Sequence, residues 1–496
     1  MQWRNHLLKK SCFDPALPAV IRVVPMNRRH FLRTGAVSAL IAGSGGALHG
    51  RERLSPQRAG GGARARNVIF LVSDGMSVGT LSFVDQFIRW RDGRPSHWMR
   101  LYEEGIAKRG LMDTASLNSI VTDSAAASSA WGCGQRVNNG SLNIAPNGEE
   151  HPTILHLAKD AGKGTGLVTT ATVTHATPAG FGANVPSRAL QPLIAEQYLA
   201  RKWDVILGGG DAFFSPEHRE DGRDLSREFA GAGYALARNA DDLRKVARGE
   251  SPILGLFAHG NVPYEIDRLN SGSLVKEVPS LKEMSLAALQ QLNQNPAGFV
   301  VQIEGARIDH GAHANDIAGL VFDQIAFDDA IGAVVDFVDT NPDTLVIITP
   351  DHGNANPGLN TGLNGGEENF TVLNGFRGSH GPILSRINRE SSPEAIHRVI
   401  QEVTGIGISM ENADLLRARL QDDFRMPYHR MNGVTAVLGQ ILANHTDIGW
   451  VGHTHTSDHV ELAAFGPGSE RIKPFQKNTD LFTLMTEALA IPATLG

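Results

Sequence analysis

The sequence predicts an α/β fold: a mostly parallel central sheet with helices on both faces. Two patterns point to it. Short apolar, β-branched runs have the look of strands buried on both sides, and helical stretches of ordinary length separate them. A third observation locates the chemistry, because several of the runs end in a carboxylate, an imidazole or a hydroxyl, and open α/β sheets bind ligands at the carboxyl ends of their strands.

The first strand is expected at 67–73 (NVIFLVS), followed by Asp74. The second, 166–170 (GLVTT), leads into a loop that carries His175 and Thr177. Two more follow at 204–209 (DVILGG) and 298–303 (GFVVQI), the latter ending in Glu304. The fifth, 344–349 (TLVIIT), is followed by Asp351 and His352. Helices are expected at 152–162 and 280–294, where apolar residues recur at helical spacing. An aspartate after one strand reads as a helix cap, but four such strand ends with imidazoles among them read as the lining of a metal site.

Residues 1–66 precede this fold as an N-terminal region expected to be removed or disordered. Within it, 26–50 joins Arg28 and Arg29 to Phe31 and Leu32, ahead of an apolar segment at 36–42 too short to span a bilayer. That stretch resembles a twin-arginine export signal, which predicts a periplasmic or extracellular protein and makes Met26 a rival to Met1 as initiator. Residues 51–66 form a Gly/Arg linker, and a single domain is expected over 67–496. A formal net charge of −6 gives no general attraction for nucleic acid or anionic membrane, so no nucleic-acid module is expected, and the short apolar segment gives no membrane span. Two cysteines, Cys12 and Cys133, rule out a disulfide framework or a cysteine-based zinc module.

Three motifs carry chemistry. VTDSAAASSA (121–130) puts Ser124 at the start of an alanine-rich helix, in a run so small and polar that it is not expected in the core. The free N–H groups and dipole of such a helix favour an anion such as phosphate. No histidine lies nearby in sequence to act as base, so a metal held by Asp74, Asp351 and His352 is the expected activator of the hydroxyl. In EGARIDHGAHAND (304–316) Asp309 and His313 are four apart and share a helix face, with His310 pointing elsewhere. Near the C-terminus, 450–467 offers His453, His455 and His459, of which one need be a ligand. Mixed carboxylate and imidazole donors suit zinc, whereas Asp74, Thr177 and Glu304 together suit magnesium.

Taken in order, SDG, TDSAAAS, THATPAGFGANVPSR, IEGARIDHGAH, TPDHG and a late HT followed by FGP resemble the metal-dependent alkaline phosphatase family, over roughly 67–355 and 450–496. The resemblance implies Ser124 as a nucleophile that becomes phosphorylated, and Arg188 as a fork on two phosphate oxygens. It implies one zinc on Asp309, His313 and His455, the last chosen because it lies eleven residues before Gly466. A second zinc falls on Asp74, Asp351 and His352, and a magnesium on Asp74, Thr177 and Glu304. Small phosphate monoesters would be hydrolysed in two displacements with net retention at phosphorus, and a homodimer is compatible with the resemblance.

Two positions depart from the better-known bacterial pattern: His175 stands where an aspartate is usual and His310 where a lysine is. The third metal's identity is therefore open, since His175 either coordinates directly, favouring zinc or cobalt, or holds a water against magnesium. Residues 353–449 resemble the family's crown or lid insertion, with helical stretches at 392–403 and 412–420. The alternatives are a phosphodiesterase of the same superfamily and an exported phosphate- or metal-binding protein. A sulfatase is disfavoured, because SAAAS lacks the proline and arginine its signature requires.

Overall fold

All five expected strands form. The computed structural model describes residues 64–361 and 367–493; the export-signal stretch and Cys12 lie outside them. Strands β1 (Asn67–Ser73), β2 (Lys108–Asp113), β3 (Gly164–Thr172), β4 (Val205–Gly209) and β5 (Ala235–Ala237) come first. They are followed by β6 (Ile253–Leu256), β7 (Phe299–Gly305) and β8 (Thr344–Thr349), then by the two-residue strands β9 (Gly353–Asn354), β10 (Gly358–Leu359), β11 (Ile448–Gly449) and β12 (His455–Thr456). β13 (Val460–Phe465) and β14 (Phe475–Lys477) complete the set. Ten of these make one sheet in the order β14-β2-β13-β8-β1-β7-β3-β4-β6-β5. From β8 to β5 every pairing is parallel, while β13 runs antiparallel to both β8 and β2. The half-exposed β2 and the three-residue β5 and β14 lack the continuous apolar run that marks the central strands, so periodicity does not find them.

Each central strand feeds two cores. On β1, Ile69 and Leu71 enter one and Val68, Phe70 and Val72 the other, as the two-residue period of a strand requires. The Phe70 ring packs 5.0 Å from Trp131 and 5.2 Å from Phe181, tying β1 to the helices Ser124–Cys133 and Ala176–Gly182. The four strands with chemistry at their ends are consecutive neighbours, β8, β1, β7 and β3, with Thr349, Val72, Glu304 and Thr169 in register across them.

The helix Ser124–Cys133 corrects one expectation, because every one of its residues is buried. Its small side chains let it lie against the helix Ala176–Gly182: a Cβ at Gly132 would fall 2.0 Å from the Gly180 carbonyl oxygen, and one at Gly180 would fall 2.1 Å from Ser128 Oγ. The Ser128 hydroxyl is shared between the Ala125 and Ala176 carbonyls at 3.2 and 3.0 Å, and Ser129 Oγ accepts from Asn143 N at 2.9 Å, so both buried serines are partnered.

Residues 353–449 hold more helix than expected. Besides Pro393–Thr404 and Met410–Gln421, which match the sequence patterns, Glu367–Asn374, His380–Leu384 and Val434–Thr446 are helical. The ends of this insertion are stitched together by β10 pairing with β11 and by β9 pairing with β12, which sets His455 opposite Asn354. Asp267 accepts from Ser379 N and Oγ at 2.8 and 2.6 Å, and Asp316 accepts from His380 N at 2.6 Å, fastening the insertion to the sheet-flanking helices.

The close helix contact sets an expectation. Gly132→Ala lowers the unfolding free energy by about 1–3 kcal/mol, whereas Gly231→Ala, whose Cβ meets nothing within 4 Å, changes it by less than about 0.5 kcal/mol. Urea denaturation of the two variants measures both.

Candidate metal centre

The turn after β1 draws the site together. Gly75 has φ +68°, and a Cβ there would lie 2.5 Å from Asp309 Oδ1, so only glycine lets the strand end and the Asp309 helix meet. Its N–H donates to Asp351 Oδ1 at 2.9 Å, and His352 N donates to the same oxygen at 2.9 Å. Asp351 Oδ2 is left facing inward, 3.1 Å from His352 Nε2, with Asp74 Oδ1 3.7 Å from that nitrogen. Ser124 Oγ lies 3.2 Å from it.

The helix Arg307–His313 carries Asp309 and His313 one turn apart, and His313 Nε2 stands 3.3 Å from Asp309 Oδ2. His455 Nε2 lies 3.7 Å from Asp309 Oδ1 and 3.1 Å from His313 Nε2. Each ring commits its other nitrogen to a carbonyl: His313 Nδ1 to His453 at 2.8 Å, His455 Nδ1 to Thr122 at 2.9 Å. Both Nε2 lone pairs therefore face each other and a carboxylate, which is the arrangement of metal-ligating imidazoles with oriented tautomers. His453 contributes only its carbonyl, and the His459 ring packs on Phe475 instead, 4.9 Å away.

Three groups of donors each lie within 4.8 Å of one another: Asp309, His352 and His455; Asp74, Asp351 and His352; Asp74, His175 and Glu304. The residue types fit cations. Both Asp74 carboxylate oxygens, Glu304 Oε1 and Asp351 Oδ2 are buried with no hydrogen-bond partner among the described residues. Four buried carboxylates so close together are unfavourable without positive charge between them.

Beside them, Arg188 donates through Nη1 to Asp123 Oδ2 and through Nη2 to His175 Nε2, both at 3.1 Å. Asp123, not Ser124, caps the Ser124–Cys133 helix, accepting from Ala126 N at 3.0 Å. Ser124 is thereby released from capping and directed at His352.

The alkaline phosphatase family model matches residues 65–491 of this chain. The chain belongs to the alkaline phosphatase family. It is 30% identical over 473 residues to alkaline phosphatase 4 of Bacillus subtilis, spanning 92% of this chain and 96% of that one. The repressible alkaline phosphatase of Saccharomyces cerevisiae is 32% identical, over 81% of this chain and 76% of its own length. The solved structure of the Thermus thermophilus alkaline phosphatase superposes with a TM-score of 0.80 at 36% identity, covering 87% of this chain and 93% of that one. This alkaline phosphatase is thus a hydrolase of phosphate monoesters, and its family membership implies bound metal ions.

Sequence reasoning missed several residues that shape this phosphatase's site. Asn354 Nδ2 donates to Asp309 Oδ1 at 2.6 Å, and Thr169 Oγ1 to Glu304 Oε2 at 2.5 Å. His310 turns from the Asp309 cluster toward His175, ring centroids 5.6 Å apart, and its Nδ1 accepts from Arg307 Nη1 at 2.8 Å. An asparagine three residues after Asp351, or an arginine two before Asp309, carries no signal until the chain is folded.

Burial and neighbouring charge shift the protons of these side chains. Burial raises Glu304 to about 7, against the pull of the Thr169 and Thr177 hydroxyls, and raises Asp74 well above the usual carboxylate range, with Asp351, Asp309 and Glu304 adding repulsion. Burial opposes charge on His313, yet Asp309 carries it up to about 9, while burial and the nearby His352 push His455 down to about 4. A histidine whose pKa is raised on folding contributes stability fully present below its unfolded value near 6.5 and lost as pH rises through 9. Chelator-treated protein should accordingly lose thermal stability between pH 6.5 and 9, in the direction that Glu304 and Asp74 also drive. Adding back zinc and magnesium should restore it most at the alkaline end, as calorimetry across that range would record.

Proposed function

We propose that this phosphatase works through a phosphoserine at Ser124, with zinc held by Asp309, His313 and His455 and by Asp74, Asp351 and His352, and magnesium by Asp74, Thr177 and Glu304. The observation that carries the reading is the position of Ser124 Oγ. It stands 3.2 Å from His352 Nε2, where Asp74 and Asp351 also converge, at the N-terminus of a buried helix. Divalent ions bound among these donors would lower the pKa of a hydroxyl they touch and offset the charge of the phosphate.

The chain's own groups do the rest. Ser124 Oγ attacks phosphorus, the ester oxygen leaves with the alcohol, and water then attacks the same phosphorus to release phosphate and regenerate the hydroxyl. Two inversions give net retention. First-turn N–H groups of the Ser124 helix face the anion with the positive end of the dipole. Arg188 spends one hydrogen on each Nη in its bonds to Asp123 and His175, leaving the other on each nitrogen for two phosphate oxygens. A monoester has three non-bridging oxygens and a diester two, so only a monoester leaves one free for the cations once Arg188 holds two, which favours it over a diester. Arg188 also bears on the third site: its bond to His175 Nε2 makes that nitrogen an acceptor and puts the ring proton on Nδ1. With its proton there, His175 would hold a water against a magnesium ion instead of ligating the ion. The Arg28–Arg29 stretch serves as the export address of the chain.

Ser124→Ala should lower turnover of a monoester by on the order of 10³-fold or more while phosphate binding persists. Wild-type protein quenched with phosphate at acid pH should carry the label within 121–136 on peptide mass analysis. A label elsewhere refutes the assignment, and faster turnover of a diester than of a monoester would favour the diesterase reading. His175→Asp should raise magnesium retained after dialysis without lowering third-site zinc or cobalt, as metal analysis per chain would show; a drop in zinc or cobalt would mean direct ligation.

A further inference from the structure

Arg307 has no part in the chemistry above, yet it is held from three sides. Its guanidinium carbon lies 3.8 Å over the Tyr264 ring, its backbone N–H donates to Thr170 Oγ1 at 3.2 Å, and its Nη1 donates to His310 Nδ1 at 2.8 Å. Its Nε is buried with no hydrogen-bond partner among the described residues. We propose that Arg307 is a positioning residue that, through His310 and His175, aims Arg188 at the substrate phosphate. The proposal rests on the reading of Arg188 as the phosphate grip.

The donor inventory carries the argument. A guanidinium only donates, so His310 Nδ1 accepts and its proton sits on Nε2. At the other end Arg188 Nη2 donates to His175 Nε2, at 3.1 Å, so the His175 proton sits on Nδ1. Two arginines thus clamp a pair of neutral imidazoles from opposite ends, and the rings meet edge to face, 5.6 Å apart and 77° between planes. Without Arg307 the His310 ring is free to rotate or change tautomer. The edge that it sets against His175 is lost, and with it the fixed acceptor on which one arm of Arg188 rests. The Tyr264 face holds the planar guanidinium in the orientation that reaches Nδ1; a lysine, being a point charge on a flexible stem, reproduces that poorly.

The test is a double-mutant cycle on the metal-loaded enzyme, with inhibition by inorganic phosphate as the readout. Arg307→Met should weaken phosphate binding about tenfold and raise KM more than it lowers kcat, with Arg307→Lys recovering only part. In a His310→Ala background the same substitution should change phosphate binding by less than about twofold. Ring ¹⁵N shifts of His310 in wild-type protein should report the proton on Nε2 and should change in Arg307→Met. An equal effect of Arg307→Met in both backgrounds, or a lowered Tm with phosphate binding unchanged, overturns the proposal. If Arg307→Met does not fold, Arg307→Lys runs the same cycle. Arg188→Ala separates the two layers: a large loss of phosphate binding there with additive Arg307 effects rejects Arg307 alone, and no loss there rejects the grip as well.

Discussion

Four carboxylates, Asp74, Glu304, Asp309 and Asp351, are buried at the ends of adjacent strands, and the rest of the structure is arranged around that concentration of negative charge. Removed from water and unpaired, each would be costly to hold ionised. The fold answers with imidazoles whose lone pairs are turned inward, with main-chain donors on Asp351, and with side-chain donors on Asp309 and Glu304. What remains unsatisfied, both oxygens of Asp74 above all, is what a bound cation satisfies.

The scaffold makes this concentration possible because the strands that lead into these carboxylates are neighbours and end at one level. The register that sets Val72 beside both Glu304 and Thr349 brings three strand ends within reach of one another, and β3 extends the row through Thr169. The Ser124 helix could not approach that row with ordinary side chains. Gly132, Gly180 and Ser128 let two helices close to backbone contact, and Trp131 and Phe181 lock both onto Phe70 of the central strand. Packing and site geometry are therefore the same problem here: the small residues that look too polar for a core are what allow Ser124 to be buried beside His352, Asp74 and Asp351.

Outside the donor clusters lies a second layer that fixes tautomers and orientations. Carbonyls of His453 and Thr122 hold two imidazoles from behind, and guanidiniums of Arg307 and Arg188 do so for two others. The carbonyls accept a hydrogen bond from Nδ1–H and so leave Nε2 for a cation; the guanidiniums donate, and so keep their imidazoles neutral and directional. One residue type serves two purposes, according to what stands behind it.

The sequence alone determined the sheet's central strands, the helix that begins at Ser124 and the pairing of Asp309 with His313, since these follow from periods of two and 3.6 residues along one short stretch. The resemblance of its motifs added the family, and with it His455 over His453 and His459. Only the tertiary structure decided that β8, β1, β7 and β3 are adjacent, that β13 enters antiparallel, and that the alanine-rich helix is wholly buried. It also decided that Asp123 caps that helix while anchoring Arg188, and that Asn354 and Arg307 stand behind Asp309 and His310. The contacts of this second kind that join distant segments link residues hundreds of positions apart, as His455 and Thr122 are at 333, and chain periodicity carries no information over such separations. They are set by which surfaces exclude water together once the sheet is assembled, and by which buried donors then find an acceptor.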